Sequence, residues 1–426
     1  MPSYINMSAA EKNAELKKVY EEYKHLKNMG TALDMTRGKP GFDQMDVSDN
    51  IFNLVGNNTG YKNCEGTDCR NYGGLDGLIE LKHLFSQIMG VDHSQIIVGG
   101  NSSLNMMYDT IAQAMTHGFG DKPWLLQEKV KFLCPAPGYD RHFGICEYFG
   151  IEMIPVENTK DGPDMDEVEE LIKDESVKGM WCVPKYSNPE GITYSDDTVR
   201  RMAAMQPAAK DFRIMWDNAY AIHDLYEDGD TLLNIYEECV KNGTEDNIIM
   251  FTSTSKITFP GAGVAAEAAS PKNVELLKKR MTHQTIGPDK LNQLRHARMF
   301  PNFDVLKQHM RSHAVILRPK FEAVLDEFEK ELSGKDIAVW TKPKGGYFIS
   351  VNVLEGCAKR VEELCAKAGL KLTSVGATFP YGCDPKNSNI RIAPSYPSVK
   401  EVKKASEILC CAIKLAALEK LTAVDN

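Results

Sequence analysis

Four short segments carry side chains whose types and spacing could do chemistry. The first is Ser253-Thr254-Ser255-Lys256, which follows an apolar run over 248–251 and precedes Pro260-Gly261. A lysine beyond a strand is commonly a solvated surface charge. Here, however, serines stand one and three positions before it, so they could hydrogen-bond a phosphate while the amine condenses with an aldehyde. Such an amine needs a depressed pKa, which burial and a neighbouring cation supply. The second segment is Trp216-Asp217-Asn218-Ala219-Tyr220, at the end of an apolar run over 212–216. A carboxylate at the end of a buried strand is costly unless a cation meets it, and a pyridinium nitrogen is such a cation. The plainer alternative is an acid in a loop or at a helix cap. Third is Asn188-Pro189-Glu190-Gly191, after the run over 179–183. Its spacing makes a tight turn, and its amide could also reach the phenolic oxygen of a ligand. The fourth, Gly99-Gly100-Asn101-Ser102-Ser103, leads into a helix beginning near Leu104. Free amides and the positive helix end make a phosphate cradle there, although Gly-rich turns before helices are frequent.

These segments need a scaffold that brings them together. Short apolar runs over 96–98, 130–134, 179–183, 212–216 and 248–251 are each followed by a turn and a helical stretch. That alternation predicts a mainly parallel sheet covered on both faces. In open sheets of this kind ligands collect beyond the carboxyl ends of the strands, and all four segments fall at such ends. Ser8 with Glu11 has capping-box spacing, opening a helix whose Leu16, Val19, Tyr20, Tyr23 and Leu26 share a face and which stops near Gly30. Ser398 with Glu401 opens the last helix in the same way. A long helical pattern over 304–332 predicts a bridge to a second domain, with strands near 346–353 and 389–393 and the N-terminal helix docked on it.

The 426 residues exceed what one simple core accommodates, and 42% hydrophobic with 26% charged residues is ordinary globular composition. A net charge of −9 argues against nucleic acid or an anionic membrane as the main partner. No run approaches the roughly 20 apolar residues of a membrane span, and 1–13 lacks the basic and apolar segments of a secretion signal. The 11 cysteines sit mostly in apolar runs, as buried thiols of a reducing compartment do, so a cytoplasmic location is expected. Cys64 and Cys69 share a polar loop without the partners of a zinc site, and no metal is expected.

Taken in order, Gly100-Asn101-Ser102, Asn188-Pro189, Asp217-x-x-Tyr220 and Ser253-x-x-Lys256 resemble fold-type I pyridoxal-phosphate enzymes, specifically the class I aminotransferases. The resemblance spans nearly the whole chain. Arg37-Gly38-Lys39-Pro40 is similar to the family's substrate loop, Asn71-Tyr72-Gly73-Gly74 to its Tyr-Gly segment, Pro137-Gly138-Tyr139 to its aromatic turn, and Asn389-Ile390-Arg391-Ile392 to its carboxylate-binding segment. It implies an α/β fold with a mainly parallel seven-stranded sheet in a large domain over 48–312, and a smaller α+β domain from 1–47 and 313–426. It also implies pyridoxal 5′-phosphate as cofactor and transfer of an amino group between an amino acid and a 2-oxo acid by a ping-pong aldimine/ketimine route. Aspartate and 2-oxoglutarate are the expected pair.

The resemblance assigns roles by position. Lys256 forms the Schiff base and shuttles the proton, Asp217 pairs with the pyridine nitrogen, and Asn188 and Tyr220 bond the phenolic oxygen. Tyr139 stacks on the ring. Asn101, Ser102, Ser103, Ser253 and Ser255 hold the phosphate, and Tyr72 reaches it from a neighbouring subunit, which implies a homodimer. Arg391 forks onto the substrate α-carboxylate, with Gly38 and Asn188 beside it, and Arg37 is the candidate for a distal carboxylate. One position departs from the pattern: Gly263 in Pro260-Gly261-Ala262-Gly263 stands where the family usually has a phosphate-clamping arginine. That departure, with Met35–Pro40 and Gly100–Asn105, resembles a bacterial branch of aspartate aminotransferases.

Three other readings compete. Gly261-x-Gly263-x-x-Ala266 matches a dinucleotide fingerprint, yet 252–260 separate it from the strand and no ribose-binding acid follows at the right distance. A C–S β-lyase or an amino-acid decarboxylase could use the same scaffold, because the cofactor breaks the bond and the protein selects which one. A non-catalytic cofactor-sensing regulator would carry a DNA-binding module, for which the segment ahead of the substrate loop leaves no room.

Overall fold

The computed structural model describes residues 3–424, so the outermost residues of the expected smaller domain, 1–2 and 425–426, lie outside the described residues. The chain opens with helix Ala9–Asn28, capped by the reciprocal Ser8–Glu11 bonds, and a short strand β1 (Leu33–Asp34). Then come β2 (Ile96–Val98), β3 (Lys131–Ala136), β4 (Glu152–Thr159), β5 (Gly162–Pro163), β6 (Val177–Cys182), β7 (Arg213–Asp217), β8 (Ile248–Ser253) and β9 (Ala265–Ala269). Beyond helix Phe303–Leu332 lie β10 (Ala338–Trp340), β11 (Ile349–Val353), β12 (Leu370–Lys371), β13 (Asn389–Ile392) and the closing helix Val399–Val424.

The main sheet runs β2-β9-β8-β7-β6-β3-β4-β5. Seven strands form its body, as the resemblance implied, and the two-residue β5 adds an antiparallel hem at one edge. The links β8–β7, β7–β6, β6–β3 and β3–β4 are parallel, while β9 is antiparallel to both neighbours. β2 therefore points the same way as the parallel set. The carboxyl ends of β2, β3, β6, β7 and β8 all open on one edge, and each is followed by a segment singled out above.

Strands β6, β7 and β8 are buried along their whole length, which is why their middles read as apolar runs, with Lys178, Arg213 and Asp217 near the strand ends. β9 and β4 are different. β9 is Ala-Ala-Glu-Ala-Ala, a composition that favours helix; it is a strand because it fills the narrow slot between β2 and β8, buried throughout. β4 alternates buried and exposed residues around Pro155.

A second sheet, β10-β11-β13, and the pair β1-β12 pack with the terminal helices. Val19, Tyr23 and Leu26 join Ile408, Leu409, Ala412 and Ile413 in one core, and the Tyr23 hydroxyl donates to the Leu364 carbonyl at 2.9 Å. Tyr20, expected on that buried face, is instead 48% exposed. Cores above and below the main sheet are separate from this one. All 11 cysteines are free thiols; nine are buried, Cys64 and Cys383 are exposed. Among the described residues no helix is long and apolar enough to cross a membrane.

Candidate active site

A cleft of about 360 Å³ lies where the strand ends meet the β11–β13 sheet. Its floor is the turn after β8. Lys256 sits there half-buried, with Nζ 4.9 Å from the Tyr220 ring centroid and 5.9 Å from that of Tyr347. Its amine has no hydrogen bond or ion pair with the described residues. Burial pushes its pKa down, opposed by the nearby Asp217 carboxylate. A neutral amine is thereby favoured, the form that attacks a carbonyl.

Asp217 closes β7 and is 2% exposed. One oxygen, Oδ2, lies 3.1 Å from His142 Nε2, and His142 is stacked on Trp181 with ring centroids 4.3 Å apart. The other oxygen, Oδ1, is buried without a partner. An unpaired buried carboxylate oxygen costs about 1–3 kcal/mol or more, so it fits a cationic ring nitrogen supplied from the cleft. Tyr220 lies three residues on, in the turn after β7, its hydroxyl held far above the usual phenol range by burial and by the neighbouring Tyr139 and Asp217.

The opposite end of the cleft is lined by hydroxyls. Ser102 and Ser103 lie at the start of helix Ser103–His117, and Ser102 makes no side-chain cap bond. Ser253 Oγ donates to Ser255 Oγ at 3.1 Å, and Ser255 Oγ donates to the Asn101 carbonyl at 3.2 Å. Hydroxyls and free helix amides are a good set for phosphate oxygens. Gly263 packs against this turn: a Cβ there would lie 3.0 Å from the Phe259 carbonyl and 3.1 Å from Thr254 Oγ1. Any side chain there would have to push these groups back by a few tenths of an ångström.

The wall from the second sheet carries Arg391 on β13, 6% exposed. Its Nη1 donates to Asn188 Oδ1 and Asp140 Oδ1, both at 3.1 Å, and its Nη2 and Nε reach Thr373 Oγ1 at 3.3 and 3.4 Å. The ring of Phe348 lies 5.0 Å beneath it. Tyr139, at the N-cap of helix Asp140–Phe149, lines the cleft with its hydroxyl pushed up to about 12 by burial and by Asp217.

The fold thus gathers twelve of the expected residues in one cleft: Arg37 and Gly38 from the N-terminal loop, Ser102, Ser103, Tyr139, Asn188, Asp217, Tyr220, Ser253, Ser255, Lys256 and Arg391. Two stay outside it. The Asn101 amide turns away to donate to the Pro260 carbonyl at 3.3 Å, and Tyr72, 81% exposed, is not among the residues lining the cleft. Sequence reasoning missed His142 behind Asp217, Asp140 on Arg391, and two further cations of the cleft, Lys39 and Arg141. Arg141 adjoins the Pro137-Gly138-Tyr139 turn, so its position after that motif was the available signal. His142 had none, because it reads as one apolar-face residue of a helix.

Comparison with known proteins agrees with this geometry. The pattern describing the aspartate amino-transferase family matches residues 7–425. An aspartate aminotransferase from Corynebacterium glutamicum is 44% identical over 407 residues, covering 95% of this chain and 93% of the relative. The crystal structure of an aspartate transaminase from C. glutamicum superposes with a TM-score of 0.96 at 43% identity, covering 98% of this chain and 99% of that one. An α-aminoadipate aminotransferase from Thermus thermophilus, complexed with N-(5′-phosphopyridoxyl)-L-leucine, shares the fold at 19% identity, with a TM-score of 0.71 over 98% of this chain and 97% of that one. Matched over nearly its full length and built on the α/β architecture of fold-type I transferases, the chain belongs to the aspartate aminotransferase family.

Proposed function

We propose that the chain is a pyridoxal-phosphate-dependent aminotransferase that moves the amino group of aspartate to 2-oxoglutarate. The observation that carries this reading is the buried, unpartnered Oδ1 of Asp217 in the same cleft as the free amine of Lys256. Bound pyridoxal phosphate supplies an aldehyde for the amine and a ring that withdraws electrons from the carbon losing its proton.

The chain's own residues do the rest. Lys256 would hold the cofactor through its aldehyde carbon and, once released there by the incoming substrate amine, would carry the proton between the substrate Cα and the cofactor C4′, a transfer its lowered pKa favours. Asp217, oriented by His142, holds the pyridine nitrogen protonated. Tyr220 and Asn188 bond the phenolic oxygen and Tyr139 covers the ring. Ser102, Ser103, Ser253, Ser255 and the amides of the Gly99–Ser102 turn hold the phosphate without the arginine that Gly263 replaces. Arg391 receives the α-carboxylate, and Gly38 leaves room for it by packing against Phe348. Arg37 meets a distal carboxylate, in a cleft whose mouth also carries Lys39 and Arg141. The exposed Tyr72 completes the phosphate site of a second copy, so the working unit is a homodimer with its sites at the interface. Three hydrophobic cores fall wholly within 48–312, and a fourth is built mostly from 1–47 and 313–426 with Val183, Tyr186, Tyr220 and Leu225 at its boundary, which supports a division into a body over 48–312 and a body built from 1–47 and 313–426.

Borohydride reduction of cofactor-saturated protein and peptide mapping tests the first claim, with the expected adduct on residue 256. An absorbance titration with a panel of amino acids tests the second. Conversion of the visible band to the pyridoxamine form, strongest with aspartate, is expected. Release of pyruvate or carbon dioxide without that conversion would instead identify a lyase or a decarboxylase.

A further inference from the structure

All five N–H groups of Arg391 are already engaged. Nη1 donates to Asp140 and Asn188, Nη2 to Thr373 and, at 3.5 Å, to the Thr36 carbonyl, and Nε to Thr373. A substrate α-carboxylate that forks onto this guanidinium must therefore exchange with one of these partners. Thr36 offers a backbone carbonyl, tied in turn to the Thr373 hydroxyl at 2.6 Å. Asn188 is buried. Asp140 alone is a carboxylate, its side chain is 35% exposed, and it lines the cleft. Two carboxylates cannot share the same N–H groups without strong repulsion.

Asp140 has an evident structural role to weigh against this. It is the first residue of helix Asp140–Phe149, where an acid suits the positive helix end. Yet among the described residues it bonds no amide of its own helix. Its oxygen is aimed at a guanidinium 251 positions away in the chain.

Resting on the reading of Arg391 as the α-carboxylate site, we propose that Asp140 is a placeholder: its carboxylate holds Arg391 in the binding orientation and is displaced by the substrate carboxylate, setting the affinity for every carboxylate ligand. Binding then swaps one carboxylate for another on the same fork, and the displaced Asp140 turns to the solvent at the cleft mouth. The exchange keeps the buried guanidinium paired throughout and makes binding weaker than the fork alone would give. Asp140 is in this sense a positioning residue that attenuates affinity for carboxylates and leaves affinity for plain amines untouched.

The prediction runs opposite to ordinary loss of function. In the cofactor-loaded enzyme, Asp140→Asn and Asp140→Ala should tighten the calorimetric Kd for succinate about three- to tenfold. The KM for the amino donor should fall with it and kcat change less, while affinity for propylamine, which lacks a carboxylate, should not move. A purely structural role would weaken both ligands together. Unchanged or weaker succinate binding in both variants overturns the placeholder. Arg391→Ala separates the two claims: if it binds succinate as well as the parent protein does, the assignment of Arg391 itself fails and the placeholder with it; if it loses succinate while the Asp140 variants gain nothing, only the placeholder fails.

Discussion

Replacing Gly38 by alanine adds one methyl group where the backbone packs tightly on Phe348, beneath the Arg391 guanidinium. The backbone of Gly38 is not in the left-handed region, so alanine meets no conformational penalty. The penalty is steric: its Cβ would lie 2.5 Å from Phe348 Cζ and 2.9 Å from Cε1. Phe348 is 4% exposed, is held edge-on against Tyr220 at 6.4 Å, and lies 5.0 Å under the Arg391 guanidinium. The ring cannot retreat without moving one of those two. Overpacking of this kind costs about 1–3 kcal/mol. If that misfit is expressed as a displaced Arg391, kcat/KM for the amino donor should fall roughly 5- to 150-fold. Cofactor affinity, set at the other end of the cleft, should stay near that of the parent protein. Initial rates across donor concentration, with a parallel absorbance titration of the cofactor, measure both. The double variant Gly38→Ala/Phe348→Leu frees space for the methyl and should recover much of the loss, with a coupling energy of about 1 kcal/mol or more. Parent-like kcat/KM in Gly38→Ala would show that the 36–40 loop simply yields, and no recovery in the double variant would refute the Phe348 route.

Other perturbations follow from the same geometry. Gly263→Arg, which restores the family's usual residue, should bind the cofactor no more tightly than the parent protein, because its Cβ must displace the Phe259 carbonyl at 3.0 Å and the Ser255 amide at 3.2 Å by a few tenths of an ångström; tighter cofactor binding would contradict this. The rate at which apoprotein captures pyridoxal phosphate should level off with rising pH below 10.5, since burial lowers the Lys256 pKa and the amine reacts when neutral. The unfolded chain holds that proton more tightly than the folded one, so the cost to stability is present below the lowered pKa and fades as pH rises toward 10.5. A capture rate still climbing at pH 10.5 would show an unshifted lysine. Arg37→Ala should depress kcat/KM for aspartate about tenfold or more while sparing a monocarboxylic donor; equal losses on both would remove Arg37 from the distal site.

What could be read from the sequence was what is local. A buried parallel strand is a continuous apolar run, so 96–98 was located to the residue and 248–251 to within two. The segments that follow those runs were placed correctly because a strand end fixes where the next few residues emerge. β9 escaped because its alanines are dictated by the slot between two neighbours, a tertiary condition that overrides helix propensity. His142 and Asp140 escaped for a related reason. Both sit on a helix whose pattern describes packing, and each meets its partner 75 or 251 positions away only after the sheet has assembled. Asn101 shows the converse limit: the motif located its backbone, but the amide was free to turn toward Pro260.

The way charges are treated elsewhere in the fold explains why this cleft is a site and not a flaw in packing. Lys178 is buried and meets Asp211 at 2.8 Å; Lys320 meets Asp43 at 3.0 Å; Lys414 meets Glu331 at 2.6 Å. Each pairing answers the desolvation of the lysine with an opposite charge. Among the described residues, Lys256 feels the Asp217 carboxylate but forms no ion pair with it, Asp217 keeps one oxygen unpartnered, and His223, in ring contact with Tyr220 and Tyr347, is buried with neither ring nitrogen bonded. Its pKa lies far below the usual imidazole range through burial and the nearby Lys256 charge. These unsatisfied groups are tolerated because β7, β8 and the β11–β13 sheet fix the site from independent sides. The cost of keeping them unsatisfied is borne by well-paired packing around them, and it leaves an amine and a carboxylate oxygen both available to a third molecule.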